Sequence, residues 1–470
     1  MEGANETTLF RSVRLLFPQF VRGSMLRHPL TCNLVSSPFT TVDQTTKKTM
    51  DQKRIFFSVG EPSGDLHASN LILDFRNQAP VNTDFEFFGF GGPKMADVGC
   101  HLLEDMTQHA VMFLSGVLAK IAKFRRLLRQ AEEVFSSQQV DLVILIDYSG
   151  FNWHVARRAK KHGIPVVFYG IPQMWAWAPW RVKKMRKYVD LGICKLPFEK
   201  DWLEQRNCRA EYVGHPFFDE MERQKYDTDF EQRIREELKL DQNELVTLLP
   251  GSRTQELKSN LPLFVKTARL IQQKRPSTRF AISCLDENQR KLAGEILAEI
   301  PEASEFLEGV PLLGGRTAEL IRLAKCCLAC SGSVSLELMY RETPTVIHYR
   351  LPRHLFMAQR LFLGIKYITL VNLLSTDSIR RQGRQVYDPD DAGAEKVPFP
   401  EYLTCGDKSR EMSRQLLNLL NDETLFRQRV QMLQELKREV GHPGASSRAA
   451  NLLLDRFFRD KGSSSSDQAA

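Results

Sequence analysis

Short apolar runs alternate with segments of helical periodicity along most of the chain. Arg54-Ile-Phe-Phe-Ser-Val59 is a β-prone run that stops at Gly60-Glu61-Pro62-Ser63-Gly64-Asp65, and Leu66 to Phe75 continues as a helix. Phe85 to Phe90 runs into Gly91-Gly92-Pro93, and Val140 to Ile146 runs into Asp147, with a basic helical stretch from Trp153 to His162 behind it. Pro165 to Gly170, Leu191 to Lys195 and Ala210 to Val213 are further strand candidates, with a Pro/Trp loop and a basic helix from Arg181 to Lys187 among them. Continuously apolar strands alternating with helices predict a mostly parallel sheet covered on both faces.

Asp219 to Glu244 is charged and helical and contains no apolar strand, so it reads as a linker. A second series follows. Leu245 to Leu249 opens on Pro250-Gly251-Ser252-Arg253, Leu261 to Lys274 is helical, and Phe280 to Cys284, Ala324 to Cys330 and Pro344 to His348 are strand candidates. The fold class this predicts is α/β, with two Rossmann-like domains facing a central cleft, where ligands sit outside the carboxyl ends of strands. The expected boundaries are a leader over 1–50, domains over 51–219 and 220–404, C-terminal helices over 405–461 and a polar tail over 462–470. Asp388 to Ala394 reads as a surface insertion.

A chain of 470 residues with 42% hydrophobic and 26% charged positions has the composition of an ordinary globular protein, which excludes disordered and collagen-like classes. The apolar stretch Val166 to Trp180 is broken by Gly170, Pro172 and Pro179, so no transmembrane helix is expected. Nine scattered cysteines point to a reducing compartment rather than a disulfide scaffold. Residues 7–42 lack Asp and Glu but carry Arg11, Arg14, Arg22 and Arg27 among apolar residues, the pattern of an organellar transit peptide. The expected location is the mitochondrion, peripheral to the inner membrane, with the chloroplast as the alternative. Six basic and three acidic residues in 1–50 supply +3 of the net +8. The body is then far short of a nucleic-acid binder's charge, and no nucleic acid is expected as a partner.

The Gly251-Ser252-Arg253 turn, after a buried strand and before a helix, offers backbone N–H groups, a hydroxyl and a fixed cation at one point, the equipment for a diphosphate. An ordinary loop with an exposed arginine reads equally well from so short a pattern. Cys330-Ser331-Gly332-Ser333 again places small residues after a strand, and Glu337 follows on the next helix. That glutamate either accepts both hydroxyls of a ribose or complements the helix dipole while the serines cap. Asp147 ends the most hydrophobic strand, where partial desolvation suits a carboxylate to take a proton from a hydroxyl; a helix N-cap is the competing reading. Glu61, Ser63 and Asp65 either orient a second sugar or cap the helix after them. His215, in Val213-Gly214-His215-Pro216, is placed to donate to a diphosphate or orient a base, although a lone histidine is more often structural.

Asp227-Thr-Asp229, Asp388-Pro-Asp390 and Cys327-Leu-Ala-Cys330 lack the context of metal sites, so neither a metal nor another cofactor is expected. Ala110 to Leu114 leads through Val117, Leu118, Ile121, Phe124, Arg125 and Arg126, an apolar and basic helix. It suits either an anionic membrane surface and acyl chains or a core with a solvated face.

These motifs combine into one pattern. From about Arg54 to Thr376, and more loosely to about Arg456, the chain resembles lipid-A-disaccharide synthase. The resemblance is carried by Gly60 to Asp65, Gly89-Phe-Gly-Gly-Pro93, Ile146-Asp147 with Phe151-Asn152, and Pro172-Gln173-Met-Trp-Ala-Trp177 with Arg181-Val-Lys-Lys184. Leu196-Pro-Phe-Glu199, Gly214-His215-Pro216, Leu249 to Arg253, Ser331-Gly332 with Glu337, and Tyr367-Ile-Thr-Leu-Val-Asn372 complete it. It implies a GT-B fold and an inverting, metal-independent transfer of 2,3-diacylglucosamine from its UDP derivative to 2,3-diacylglucosamine 1-phosphate, giving the β-1,6 disaccharide 1-phosphate and UDP. Asp147 would be the base for the acceptor 6-hydroxyl. Gly251, Ser252, Arg253, Ser331, Gly332, Glu337 and Asn372 would hold the donor, with Asn372 closing its site. Glu61, Ser63, Asp65, Gln173 and His215 would line the acceptor side of the cleft. An anionic membrane surface is an implied contact and a homodimer an implied assembly. The chain departs from the family at Gly150, where a second Asp is usual, at Val371, where Pro is usual, and in added length over Asp377 to Ala394. The alternatives are a related GT-B UDP-sugar transferase or epimerase and a catalytically silent lipid- or nucleotide-binding protein.

Overall fold

A computed structural model of the protein describes residues 51–459 apart from 82, 108–116, 301–303, 355, 358–363, 377, 378, 380–386 and 392. The leader of residues 1–50, the tail of 462–470 and the stretch from Ala110 to Leu114 lie outside the described residues.

The first half runs through β1 (Asp51–Val59), α1 (Pro62–Gln78), β2 (Thr83–Gly91), α2 (Pro93–Asp97), β3 (His101–Asp105), α3 (Val117–Ser137), β4 (Leu142–Ile146) and α4 (Ser149–Lys161). It continues with β5 (Val166–Tyr169), α5 (Met174–Trp177), α6 (Val182–Tyr188), β6 (Leu191–Cys194), α7 (Pro197–Glu204) and β7 (Ala210–Tyr212). Among the described residues these strands form one sheet in the order β3-β2-β1-β4-β5-β6-β7, and β1 pairs in parallel with β2 and β4. Alternate residues face opposite layers. Phe56, Val143, Leu145 and Phe168 enter one core cluster, and Ile55, Phe57, Leu142, Ile144 and Val167 enter another. Two covered faces explain why these strands are continuously apolar, each large buried side chain contributing about 1.5–3 kcal/mol.

After α8 (Phe217–Arg223) and α9 (Thr228–Glu237), the pattern repeats as β8 (Glu244–Leu249), α10 (Thr254–Lys274), β9 (Thr278–Cys284), α11 (Glu287–Ala298), α12 (Ser304–Leu307), β10 (Leu312–Gly314), α13 (Thr317–Leu323), β11 (Cys326–Cys330), α14 (Val334–Tyr340), β12 (Thr345–Arg350), α15 (Leu370–Leu374) and β13 (Glu401–Thr404). The second sheet has the order β10-β9-β8-β11-β12-β13 among the described residues. In both sheets the first strand of the series pairs with the fourth, so strand order reverses between β1 and β4 and again between β8 and β11. Loops leaving the carboxyl ends of those four strands therefore border the two natural binding crevices.

Three strands escape the sequence reading. The strands β3, β10 and β13 lie at sheet edges, and β3 and β10 are only partly buried, so they lack a long apolar run. The helix α10 also begins earlier than expected, directly after Arg253, with Pro262 accommodated inside it.

The chain ends in α16 (Ser409–Asn421), α17 (Glu423–Val440) and α18 (Ala445–Phe457). The first two pack on the second half, whereas α18 returns to the first, where Ala449, Ala450, Leu453 and Leu454 join the core around Ile55 and Phe57. Asp219, taken from sequence as part of a charged linker, is buried and accepts the N–H groups of Gly444, Ala445 and Ser446 at 2.6, 3.0 and 3.0 Å. A carboxylate on these otherwise unpaired donors starts α18. No helix among the described residues is long and apolar enough to cross a membrane.

Candidate active site

At the first reversal of strand order, β4 delivers Asp147 and β1 delivers Gly60. Gly60 N–H donates to Asp147 Oδ1 at 3.0 Å, and Glu61 N–H donates to Oδ2 at 3.2 Å. Gly64, in the first turn of α1, makes room for the carboxylate, since a Cβ there would stand 1.7 Å from Oδ2. Asp147 and Tyr148 both adopt left-handed backbone, with φ of 49° and 32°. Such a conformation costs an L residue about 1–2 kcal/mol, and its concentration here is what a functional turn tolerates. Asn152 holds the turn: its Nδ2 donates to the carbonyls of Ile146 and Asp147 at 3.0 Å each, and its Oδ1 accepts the Ser58 hydroxyl at 2.6 Å.

Burial, reinforced by the charge of Glu61, raises the Asp147 carboxyl to about 7, while the Gly60 and Glu61 N–H groups and the Lys195 charge oppose the shift. A carboxyl titrating there is ionised in a useful fraction near neutral pH and basic enough to receive a hydroxyl proton.

At the second reversal, the loops after β8 and β11 enclose a cavity of about 190 Å³. Gly251, Ser252, Ser331, Gly332 and Glu337 line it together with Phe217 from the connection between the halves. Gly251 has φ 128°, and a Cβ there would fall 2.5 Å from Glu256 Cβ, so both backbone and space require glycine. The N–H groups of Ser252 and Arg253 donate to Glu256 Oε2 at 3.1 and 3.2 Å, so the amides expected from sequence to meet a diphosphate are held by a carboxylate. The Arg253 side chain is 78% exposed and lies 3.4 Å from Glu256 Oε1. Behind the turn, Asn260 Nδ2 donates to Pro250 O at 2.9 Å, and Asn260 Oδ1 lies 3.0 Å from His348 Nδ1. Burial lowers His348 to about 4, which keeps its ring neutral and makes Nδ1–H the donor.

The remaining expected residues divide. Glu337 borders the cavity, but its Oε1 accepts Arg341 at 2.9 and 3.0 Å, leaving Oε2 as the oxygen without a partner among the described residues. Burial raises its pKa against the pull of Arg341. Glu61 and Ser63 are exposed at the start of α1, and Gln173 is exposed just before α5. His215 is half-buried; its Nδ1 accepts the Phe217 N–H at 3.2 Å, and desolvation holds it well below the usual imidazole range.

Two expectations are corrected by packing. Asp65 is buried, and its oxygens accept the N–H groups of Gly92, Lys94 and Met95 at 3.0, 3.0 and 3.1 Å, so it secures the turn into α2 instead of meeting a sugar. Asn372 is 0% exposed, its Nδ2 donating to Phe399 O and Glu401 Oε2 and its Oδ1 accepting Phe399 N, so its amide has nothing left to close a donor site. Phe124 is partly buried and packs on Tyr148 and Phe151 at 6.0 and 5.5 Å, behind the Asp147 turn. Arg125 is exposed, Arg126 donates to Glu104 at 3.3 Å, and the side chains of Val117, Leu118 and Ile121 lie outside the described ones.

Sequence reading gave no role to Glu256, Asn260 or Lys195, and took Glu199 only as part of a motif. Glu199 is buried beneath the Trp loop and accepts the Trp175 indole N–H at 3.0 Å together with the Lys195 and Leu196 amides.

Comparison with known proteins places the chain in a family. Residues 55–426 match the family model described as lipid-A-disaccharide synthetase. The lipid-A-disaccharide synthase of Trichlorobacter lovleyi is 32% identical over 86% of this chain and 97% of its own length. Lipid-A-disaccharide synthase 1 of Legionella pneumophila is 30% identical over 86% of this chain and 96% of its own. Among solved structures, a UDP co-structure of S. aureus MnaA superposes with a TM-score of 0.56 at 12% identity, covering 86% of this chain and 96% of that one. UDP-GlcNAc 2-epimerase from Neisseria meningitidis bound to UDP-GlcNAc gives 0.53 at 13% identity, covering 86% and 100%. The last two establish likeness of fold.

Proposed function

Because the chain belongs to the lipid-A-disaccharide synthase family, we propose that it transfers 2,3-diacylglucosamine from its UDP derivative to the 6-hydroxyl of 2,3-diacylglucosamine 1-phosphate. The observation that carries this reading is the paired construction of the two crevices: a base-competent carboxylate at one, a glycine-lined cavity beside an exposed arginine at the other.

In the reaction, Asp147 receives the proton of the acceptor hydroxyl while the oxygen attacks the anomeric carbon of the donor. The bond from that carbon to the UDP oxygen breaks on the opposite face, its electron pair leaves with the diphosphate, and the configuration inverts. The Ser252 and Arg253 amides and the Arg253 guanidinium are suited to the charge that develops on the leaving group. For this, Glu256 gives up the amides to the diphosphate. Glu337 Oε2 takes a ribose hydroxyl.

The direct test is incubation of purified protein with both lipid substrates in detergent. Tetraacyl disaccharide 1-phosphate and UDP should appear in equal amounts. Turnover confined to non-acylated UDP-sugars would oppose the proposal.

The acid-poor leader supports mitochondrial import, which imaging of a C-terminally tagged full chain tests against plastid targeting. The exposed Arg125 and Arg129 on α3 support contact with an anionic membrane surface, tested by salt-sensitive sedimentation with vesicles containing acidic lipid.

A further inference from the structure

We propose that Lys195, with His215 beside it, forms a phosphate-receiving site between Asp147 and the cavity of the second half, and that its occupant is a phosphate group of a sugar-phosphate substrate. Lys195 directly follows β6. A Cβ on Gly170, the residue after β5, would meet Lys195 Cε at 2.9 Å and Cδ at 3.1 Å. Since β5 lies between β6 and β4, the lysine stem crosses the end of β5 in the direction of the Asp147 turn.

No hydrogen bond or ion pair among the described residues engages its Nζ. The neighbours that feel its charge are Asp147, Glu199, His67 and His215. None of them neutralises it. The oxygens of Glu199 are committed to Trp175 and to the Lys195 and Leu196 amides. His67 Nδ1 stands 3.3 Å from Glu220 Oε1. Asp147 accepts Gly60 and Glu61. A half-buried ammonium with no partner is electrostatically incomplete, and an anion completes it.

His215 supplies the second donor. Its Nδ1 accepts the Phe217 N–H, so the ring proton is on Nε2, and Phe217 itself lines the cavity. The two donors thus stand at adjacent strand ends, those of β6 and β7, beside the connection that leads into the cavity. The site rests on the sugar-transfer reading above for the identity of its ligand. Both substrates of that reaction carry phosphate, as the donor diphosphate or the acceptor 1-phosphate.

The experiment compares Lys195→Met, which keeps the apolar stem, with Lys195→Arg, which keeps the charge. Calorimetric titration with UDP and with inorganic phosphate is paired with kinetics on the acceptor with and without its 1-phosphate. Loss of a charge-assisted contact should weaken phosphate binding about tenfold or more, with recovery in Lys195→Arg. Weaker UDP binding assigns the site to the donor; a KM increase confined to the phosphorylated acceptor assigns it to the acceptor. Removing a cation that favours ionised Asp147 should also move the rising limb of the pH–rate profile to higher pH, which a purely structural defect would not do. If Lys195→Met binds UDP and inorganic phosphate as the wild type does, with unchanged KM and pH limb, the site is overturned. If the wild type makes no disaccharide yet Lys195→Met still loses phosphate binding, the transfer reading fails and the site stands.

Discussion

The N–H of Gly60 donates to the carboxylate of Asp147 across 3.0 Å, tying the ends of the two strands between which the first sheet reverses its order. The second sheet has a counterpart at its own reversal, where Glu256 accepts the N–H groups of Ser252 and Arg253. In the proposed transfer the first carboxylate is the reactive group. In the second it occupies donors that a phosphate can claim.

Asp147→Asn keeps the size and one acceptor of the side chain but removes its basicity. Turnover should fall about 10²–10⁴-fold, the usual contribution of a general base, with UDP affinity nearly unchanged. In the wild type, the logarithm of kcat/KM should rise with unit slope at acid pH and level off near 7, where burial places the Asp147 ionisation.

The same shift affects stability. A carboxyl raised from 3.8 to about 7 keeps its proton in the folded state over a range where the unfolded chain has released it, so its contribution to stability declines as pH rises from about 4 to 7. Asp147→Asn escapes that penalty. Its Tm should exceed the wild-type value at pH 8 and approach it at pH 4, and comparing the two proteins cancels other titrating groups such as Glu401. Equal Tm values at both pH extremes would count against a buried, raised Asp147.

Gly64→Ala should disable the base without touching the nucleotide. The added Cβ would overlap Asp147 Oδ2, so the carboxylate must leave its two N–H donors. Rate constants should fall at least tenfold while UDP affinity stays within about twofold, an expectation from the cost of small misplacements in catalysis. Kinetics beside UDP titration checks the separation.

Glu256→Gln removes the negative charge that competes with a diphosphate for the Ser252 and Arg253 amides. UDP should bind more tightly to it, and more weakly to Arg253→Ala, by about 10-fold to 100-fold for loss of a charge-assisted contact. The exposure of Arg253 puts the effect at the lower end. If Glu256→Gln weakens UDP binding instead, the carboxylate organises the turn and does not compete for it.

Asn260→Ala leaves Pro250 O and His348 Nδ1 without their buried partner. The cost should be about 1–3 kcal/mol in unfolding free energy, and UDP binding should weaken as the turn loosens. Chemical denaturation and UDP titration measure the two effects separately.

The doubly wound architecture could be read from the chain because β1, β4, β8 and β11 are covered on both faces and therefore continuously apolar. Edge position hid β3, β10 and β13. The turn after β8 and the aspartate after β4 were visible because short polar clusters at the ends of such strands have few places to go. What sequence could not distinguish was a polar residue turned to a ligand from one turned to backbone. Asp65 and Asn372 stand in motifs beside loops, yet every strong hydrogen bond they make serves the chain itself. Phe124 lies on an amphipathic helix whose pattern fits a membrane or a core equally well, and its contact with Tyr148 was not visible in that pattern. Lys195 gave no signal at all, since one lysine after a strand resembles any solvated end. Its meaning comes from Gly170 beneath its stem.

The measurement closest to the centre is formation of the tetraacyl disaccharide 1-phosphate from UDP-2,3-diacylglucosamine and 2,3-diacylglucosamine 1-phosphate, followed by mass spectrometry for wild type and Asp147→Asn in parallel with UDP titration. The expected result is product from the wild type, a loss of at least about a hundredfold in Asp147→Asn, and similar UDP affinity in both. Product formation at the wild-type rate by Asp147→Asn, or none from a wild type that binds UDP, would contradict it.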